Sequence, residues 1–189
     1  MLTKLVTFSF STALKIKKAA VLLSGSGVAD GSEIIEAVSI LVSLSKLGVE
    51  FQCYAPNKLQ KDVIDHTNFQ PLKDTRNVLV ESARICRGNI KNIVELKSKE
   101  YNALFMPGGF GAAKNWSSFA ESGPNFKVDE EVEKVLLSFY QEKKPIAACC
   151  ITPIILAKVF GKHHVKLTLG KSSKEWEFAG TIGKFYKSL

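Results

Sequence analysis

The 189-residue sequence has no CxxC motif and no histidine pair at ligand spacing, and it holds only three histidines and four cysteines. Those absences argue against a zinc site. Cys53, Cys86 and the adjacent pair Cys149–Cys150 do not read as a secreted disulfide framework either, so a reducing compartment is expected. No apolar run is long enough to span a membrane: the longest, Ile146–Ala157, is interrupted by Thr152 and Pro153. Internal repeats, low-complexity tracts and interior linkers are also missing. What is left, with 46% hydrophobic and 23% charged residues, is the composition of one globular domain.

Acidic residues are missing from the N-terminal end until Asp30. Residues 1–17 are rich in Ser and Thr and carry Lys4, Lys15 and Lys17, the composition of a transit peptide. Mitochondrial import is the expectation, with a frayed basic start on a cytoplasmic protein as the alternative. The formal charge of +8 lies at the two ends: residues 158–189 carry seven lysines against Glu175 and Glu177, whereas residues 21–157 hold fifteen basic and sixteen acidic residues. No Lys/Arg cluster sits on a recognisable reading element, which disfavours nucleic-acid binding.

From Lys18 onward, short apolar runs alternate with helical periodicity. Ala19–Leu23, Val49–Ala55, Ala103–Met106, Pro145–Cys149 and Val165–Leu169 read as strands. Glu33–Leu47, Val128–Glu142 and Ile154–Val159 read as helices, the first opened by an Asp30-x-x-Glu33 start signal and stopped at Gly48. The pattern predicts an α/β fold with a mostly parallel sheet, helices on both faces and a ligand crevice at the carboxyl ends of the strands.

Three segments end strands at that edge. "SGSGVADGSEIIEA" lacks the third glycine of a dinucleotide loop, since Asp30 stands there, but places Glu36 in the first turn of a helix. A solvated helix carboxylate is the alternative reading of Glu36. "MPGGFGAAKN" sets Gly108 and Gly109 where exposed N–H groups can receive an oxyanion, although a plain tight turn fits as well. "AACCITP" breaks a strand into a helix. With Thr152 as N-cap and Pro153 first in the helix, Cys150 lies near a helix N-terminus that favours its thiolate. Strand alternation sends Cys149 to the other face as a small buried hydrophobe. Plain packing of both cysteines stays open.

Together with "FQCYAPNKLQKDVIDHT", "TRNVLVESARICRG" and "LFMPGGFGAAKNWSSFA", these segments resemble the ElbB-like subfamily, the lycopene-enhancing isoprenoid proteins and their mitochondrial relatives, within the glutamine amidotransferase-like PfpI/ThiJ superfamily. The resemblance runs from Ala19 to Thr181. It implies a flavodoxin-like three-layer α/β sandwich of the class I glutamine amidotransferase type over residues 18–189, with Cys150 at the nucleophile elbow. Glu36 falls at the acidic position beside that thiol, and Gly108 and Gly109 fall at the oxyanion turn. His66 and Asn115 are carried over as pocket-bordering, substrate-binding candidates, with a surface or structural role as the alternative for His66.

The activity this implies is a glyoxalase-like reaction on small α-oxoaldehydes, with no cofactor and no metal. Cys150 adds to the aldehyde carbon, a protonated Glu36 orients the thiol and then shuttles the proton, and the turn receives the oxyanion. The alternative is a non-catalytic, redox-responsive or partner-binding protein with an oxidisable Cys150. A small aldehyde is the expected partner, with neither nucleic acid nor membrane, and a homodimer is compatible with both readings. Ile151 stands where superfamily proteases carry His, which disfavours a Cys-His peptidase. Relatives continue past this C-terminus through a further strand, a "TTPA"-type segment and a closing helix, so a C-terminally truncated domain is expected.

Overall fold

The computed structural model describes residues 16–163 and 165–169. The expectations of a transit peptide and of a truncated C-terminus fall, but for Ile16 and Lys17, outside the described residues. Among those described, no helix is long and apolar enough to cross a membrane.

Five parallel strands form the central sheet: β1 (Lys18–Leu22), β2 (Glu50–Ala55), β5 (Ile90–Asn92), β6 (Ala103–Met106) and β7 (Ile146–Ala148), in the order β5-β2-β1-β6-β7. A small antiparallel pair, β3 (Ile64–Asp65) and β4 (Gln70–Pro71), lies apart from it. The longer helices are α1 (Ile34–Lys46), α2 (Val78–Ile85), α5 (Glu130–Gln141) and α6 (Pro153–Phe160), with single-turn α3 (Gly111–Lys114) and α4 (Phe119–Ser122) between β6 and α5.

The apolar run of β1 explains the layers. Successive side chains of a strand point to opposite faces, and both faces here are covered. Ala19, Val21 and Leu23 join Ala37 and Leu44 of α1 and Val78 of α2 in one cluster. Ala20 and Leu22 join Val132, Leu136 and Phe139 of α5 and Ile154 and Ile155 of α6 in the other. A strand buried on both sides cannot afford polar alternation, which is why its sequence reads as a continuous apolar run.

Three local expectations change. Asp30 does not cap α1: Glu33 does, its carboxylate accepting the Glu36 N–H at 2.7 Å, while the Asp30 carboxylate is buried and accepts the Ile64 N–H at 2.8 Å. Thr152 has helical dihedrals, and its buried hydroxyl donates to the Pro107 carbonyl at 2.7 Å instead of capping α6. Val165–Leu169 is not a strand. Its alternating apolar residues face the α5–α6 layer, where Leu167 packs and Val165 and Leu167 border a groove with Tyr140, Leu156 and Phe160. Apolar alternation therefore meets a helical surface here instead of a ladder partner.

Candidate active site

Because β1, β6 and β7 are adjacent and parallel, the loops leaving their carboxyl ends meet at one edge. The loop after β1 and the turn after β6 are joined by backbone bonds: Glu33 N–H to Gly108 O at 2.9 Å, Gly111 N–H to Gly31 O at 2.9 Å, and Phe110 N–H to Val28 O at 2.7 Å. Gly109, at φ +98°, leaves no room for a side chain, since a Cβ would stand 2.3 Å from Gly31 O. Gly108 is bare for a different reason. A Cβ there would lie 2.3 Å from Cys150 Cβ and 3.0 Å from its Sγ.

Cys150 leaves β7 in the left-handed region, at φ +56°, a conformation that costs a non-glycine residue on the order of 1 kcal/mol or more. This one dihedral makes the strand-to-helix elbow, and Cys150 is exposed. It also cancels strand alternation. Cys149 is half-buried, not packed away behind the sheet, and its Sγ donates to Glu36 Oε2 at 3.4 Å. The Cys150 thiol contacts the same carboxylate. Glu36 Oε2 further accepts the Gly108 N–H at 2.7 Å.

The electrostatics correct the expectation of a thiolate-prone Cys150. Burial of the sulfur pushes its thiol up, as does the Glu36 charge, while the backbone N–H groups of Gly109 and Ile151 pull it down; the net direction is upward. The N-terminus of α6 does not outweigh desolvation and a neighbouring carboxylate. Cys149, pushed up to about 11 by burial and by Glu36, is held as a thiol. Since the Gly108 N–H is committed to Glu36, the backbone donors that favour the Cys150 thiolate are those of Gly109 and Ile151.

Glu36, Cys149, Cys150, Gly108 and Gly109 thus converge on one notch. His66 and Asn115 are engaged elsewhere. His66 is exposed, with the Ala29 N–H directed at its Nε2 at 3.2 Å and its Nδ1 facing the Ile64 carbonyl at 3.0 Å. Asn115 is buried and donates to Ser24 O at 2.8 Å and Asp30 O at 2.9 Å while accepting from Lys61 N at 2.9 Å. It clamps three backbone segments. The part of Cys149 in the notch was missed by sequence reasoning, because it depends on the dihedral of its neighbour.

The family model described as DJ-1/PfpI matches residues 17–175. The mitochondrial ES1 protein homolog of Rattus norvegicus and the mitochondrial glutamine amidotransferase-like class 1 domain-containing protein 3 of Homo sapiens are each 50% identical over 168 residues, 87% of this chain and 62% of theirs. Among solved structures, an isoprenoid biosynthesis protein with an amidotransferase-like domain from Ehrlichia chaffeensis superposes with a TM-score of 0.75 at 42% identity, over 79% of this chain and 70% of that one. The chain spans about three fifths of the length of the curated relatives it matches, 62% in both.

Proposed function

The chain belongs to the DJ-1/PfpI family, which includes cysteine-dependent enzymes and non-catalytic proteins, and from that premise we propose that it is a cofactor-free, cysteine-dependent enzyme of glyoxalase type acting on small α-oxoaldehydes. One observation carries the reading. An exposed cysteine stands in a left-handed elbow, beside the Glu36 carboxylate, with the backbone N–H groups of Gly109 and Ile151 favouring its thiolate.

The Cys150 sulfur adds to the aldehyde carbon, and the new oxyanion is received by the Gly109 and Ile151 N–H groups. Glu36 takes the proton from that carbon and returns it to the adjacent one, converting the hemithioacetal to a thioester. Water then releases the hydroxy acid from sulfur. The raised Cys150 thiol implies that the step speeds up toward alkaline pH. The N-terminal composition and the mitochondrial relatives support a mitochondrial location for this chain.

The test is turnover of methylglyoxal to lactate without glutathione. Turnover in the parent and its loss in Cys150→Ser support the reading. No lactate from methylglyoxal or from a panel of small α-oxoaldehydes overturns it.

A further inference from the structure

Two thiols stand beside one carboxylate in a site that the aldehyde chemistry furnishes with work for only one. Cys149 donates to Glu36 Oε2 at 3.4 Å, Cys150 contacts the same carboxylate, and the left-handed Cys150 backbone is what turns the two side chains to a common side. We propose that Cys149 is the resolving thiol of Cys150: after a hydroperoxide oxidises Cys150 to a sulfenic acid, Cys149 closes a disulfide with it that thiol reductants reopen.

The steps balance. The Cys150 sulfur attacks the terminal peroxide oxygen, the O–O bond breaks, and an alcohol or water leaves, so that sulfur is oxidised and peroxide reduced. The Cys149 sulfur then attacks the Cys150 sulfur. The S–S bond forms as the S–O bond breaks with its electron pair, and the departing oxygen takes the Cys149 proton as water. Glu36 Oε2 already accepts that proton in a hydrogen bond, so the carboxylate is placed to carry it. Cys149, held protonated by its surroundings, is a poor first target for oxidant, which leaves the exposed Cys150 to react first.

Adjacency suits a reversible bond. Consecutive Cα atoms stand about 3.8 Å apart, short of the usual disulfide span of about 4.4–6.8 Å, so the ring is strained and readily reduced. The remaining thiols serve as internal controls, since Cys53 and Cys86 belong to the α1–α2 side of the sheet.

The inference rests on Cys150 as the reactive thiol of the proposed function. The experiment treats the full chain with limiting hydrogen peroxide, blocks free thiols with iodoacetamide, and weighs the tryptic peptide that carries both cysteines. The expected peptide has lost two hydrogens and carries no label, and dithiothreitol restores two labelled thiols. In Cys149→Ala and Cys149→Ser the same treatment leaves Cys150 open to dimedone and drives it to sulfinic acid, about tenfold beyond the parent. A parent that traps dimedone as fully as either variant overturns the proposal, as does a Cys150 disulfide to Cys53 or Cys86. Methylglyoxal turnover read on the same samples separates the two claims: turnover without the disulfide sinks only this one, and the disulfide without turnover sinks only the glyoxalase reading.

Discussion

Glu36 Oε2 accepts the Gly108 N–H at 2.7 Å, so a carboxylate on α1 is pinned to the turn that follows β6 and its charge is fixed beside both thiols of the notch. That charge is one of the causes that raise the Cys150 thiol. Glu36→Gln removes it and keeps the shape, so the thiolate fraction at neutral pH should rise. The pH midpoint of iodoacetamide labelling at Cys150 is expected to move down, while aldehyde turnover falls by about 10²–10⁴ for want of a proton carrier. A midpoint that stays or moves up contradicts this account of the electrostatics.

Gly108 faces Cys150 at a distance no side chain tolerates. Gly108→Ala should push Cys150 out of the elbow, lowering turnover by about 100-fold, the scale of losing a well-placed group at such a site. Labelling kinetics at Cys150 check the displacement independently of turnover. An alanine variant with parental turnover would mean that the elbow adjusts freely.

Much of this was readable without coordinates. β1, β6 and α5 stand close to their expected bounds because runs such as Ala19–Leu23 are buried on both faces and because Val132, Leu136 and Phe139 repeat at helical spacing. The elements not read were short: β5 has three residues, β3 and β4 two each, with Phe69 in the left-handed region between them. Helix α2 did offer a signal in Asn77, whose side chain accepts from Leu79 N and Val80 N. Within the notch, strand-end glycines and a cysteine before Thr-Pro marked Gly108, Gly109 and Cys150. The sharing of Glu36 by two thiols turns on the one backbone angle at Cys150, which no periodicity encodes.

Asn115 offers a contrast between binding and bracing. Its three hydrogen bonds to Ser24, Asp30 and Lys61 hold the loop after β1 against α3 and the loop after β2. Asn115→Ala leaves two buried carbonyls unpaired and should lower stability by about 2–6 kcal/mol, at roughly 1–3 kcal/mol for each buried group left unsatisfied. Urea unfolding measures it. The remaining folded protein should keep its KM within about twofold, a change smaller than the loss of one hydrogen bond to substrate would produce. A large rise in KM with stability unchanged would instead make Asn115 a substrate ligand.

The four cysteines differ in access and in acidity, and their labelling order separates the two properties. Cys150 is exposed with its thiol raised, Cys86 is half-buried with its thiol lowered by a hydrogen bond from Cys53, Cys149 is pushed up to about 11, and Cys53 is buried and raised further. At about pH 9, where an ordinary thiol is substantially ionised, access should decide, and iodoacetamide should reach Cys150 first, Cys86 second, and Cys149 and Cys53 last. Near neutral pH Cys86 should gain on Cys150, because its lowered thiol keeps the larger thiolate fraction as the pH falls. Cys150→Ser should abolish turnover, whereas Cys149→Ala should retain it with the Cys150 labelling midpoint moved, since Glu36 then loses one of its two donors. Peptide mass spectrometry across the pH series reads all of this at once. If Cys149 is labelled ahead of Cys150 at every pH, or if Cys150→Ser turns over substrate at the parental rate, the elbow thiol is not the reacting group.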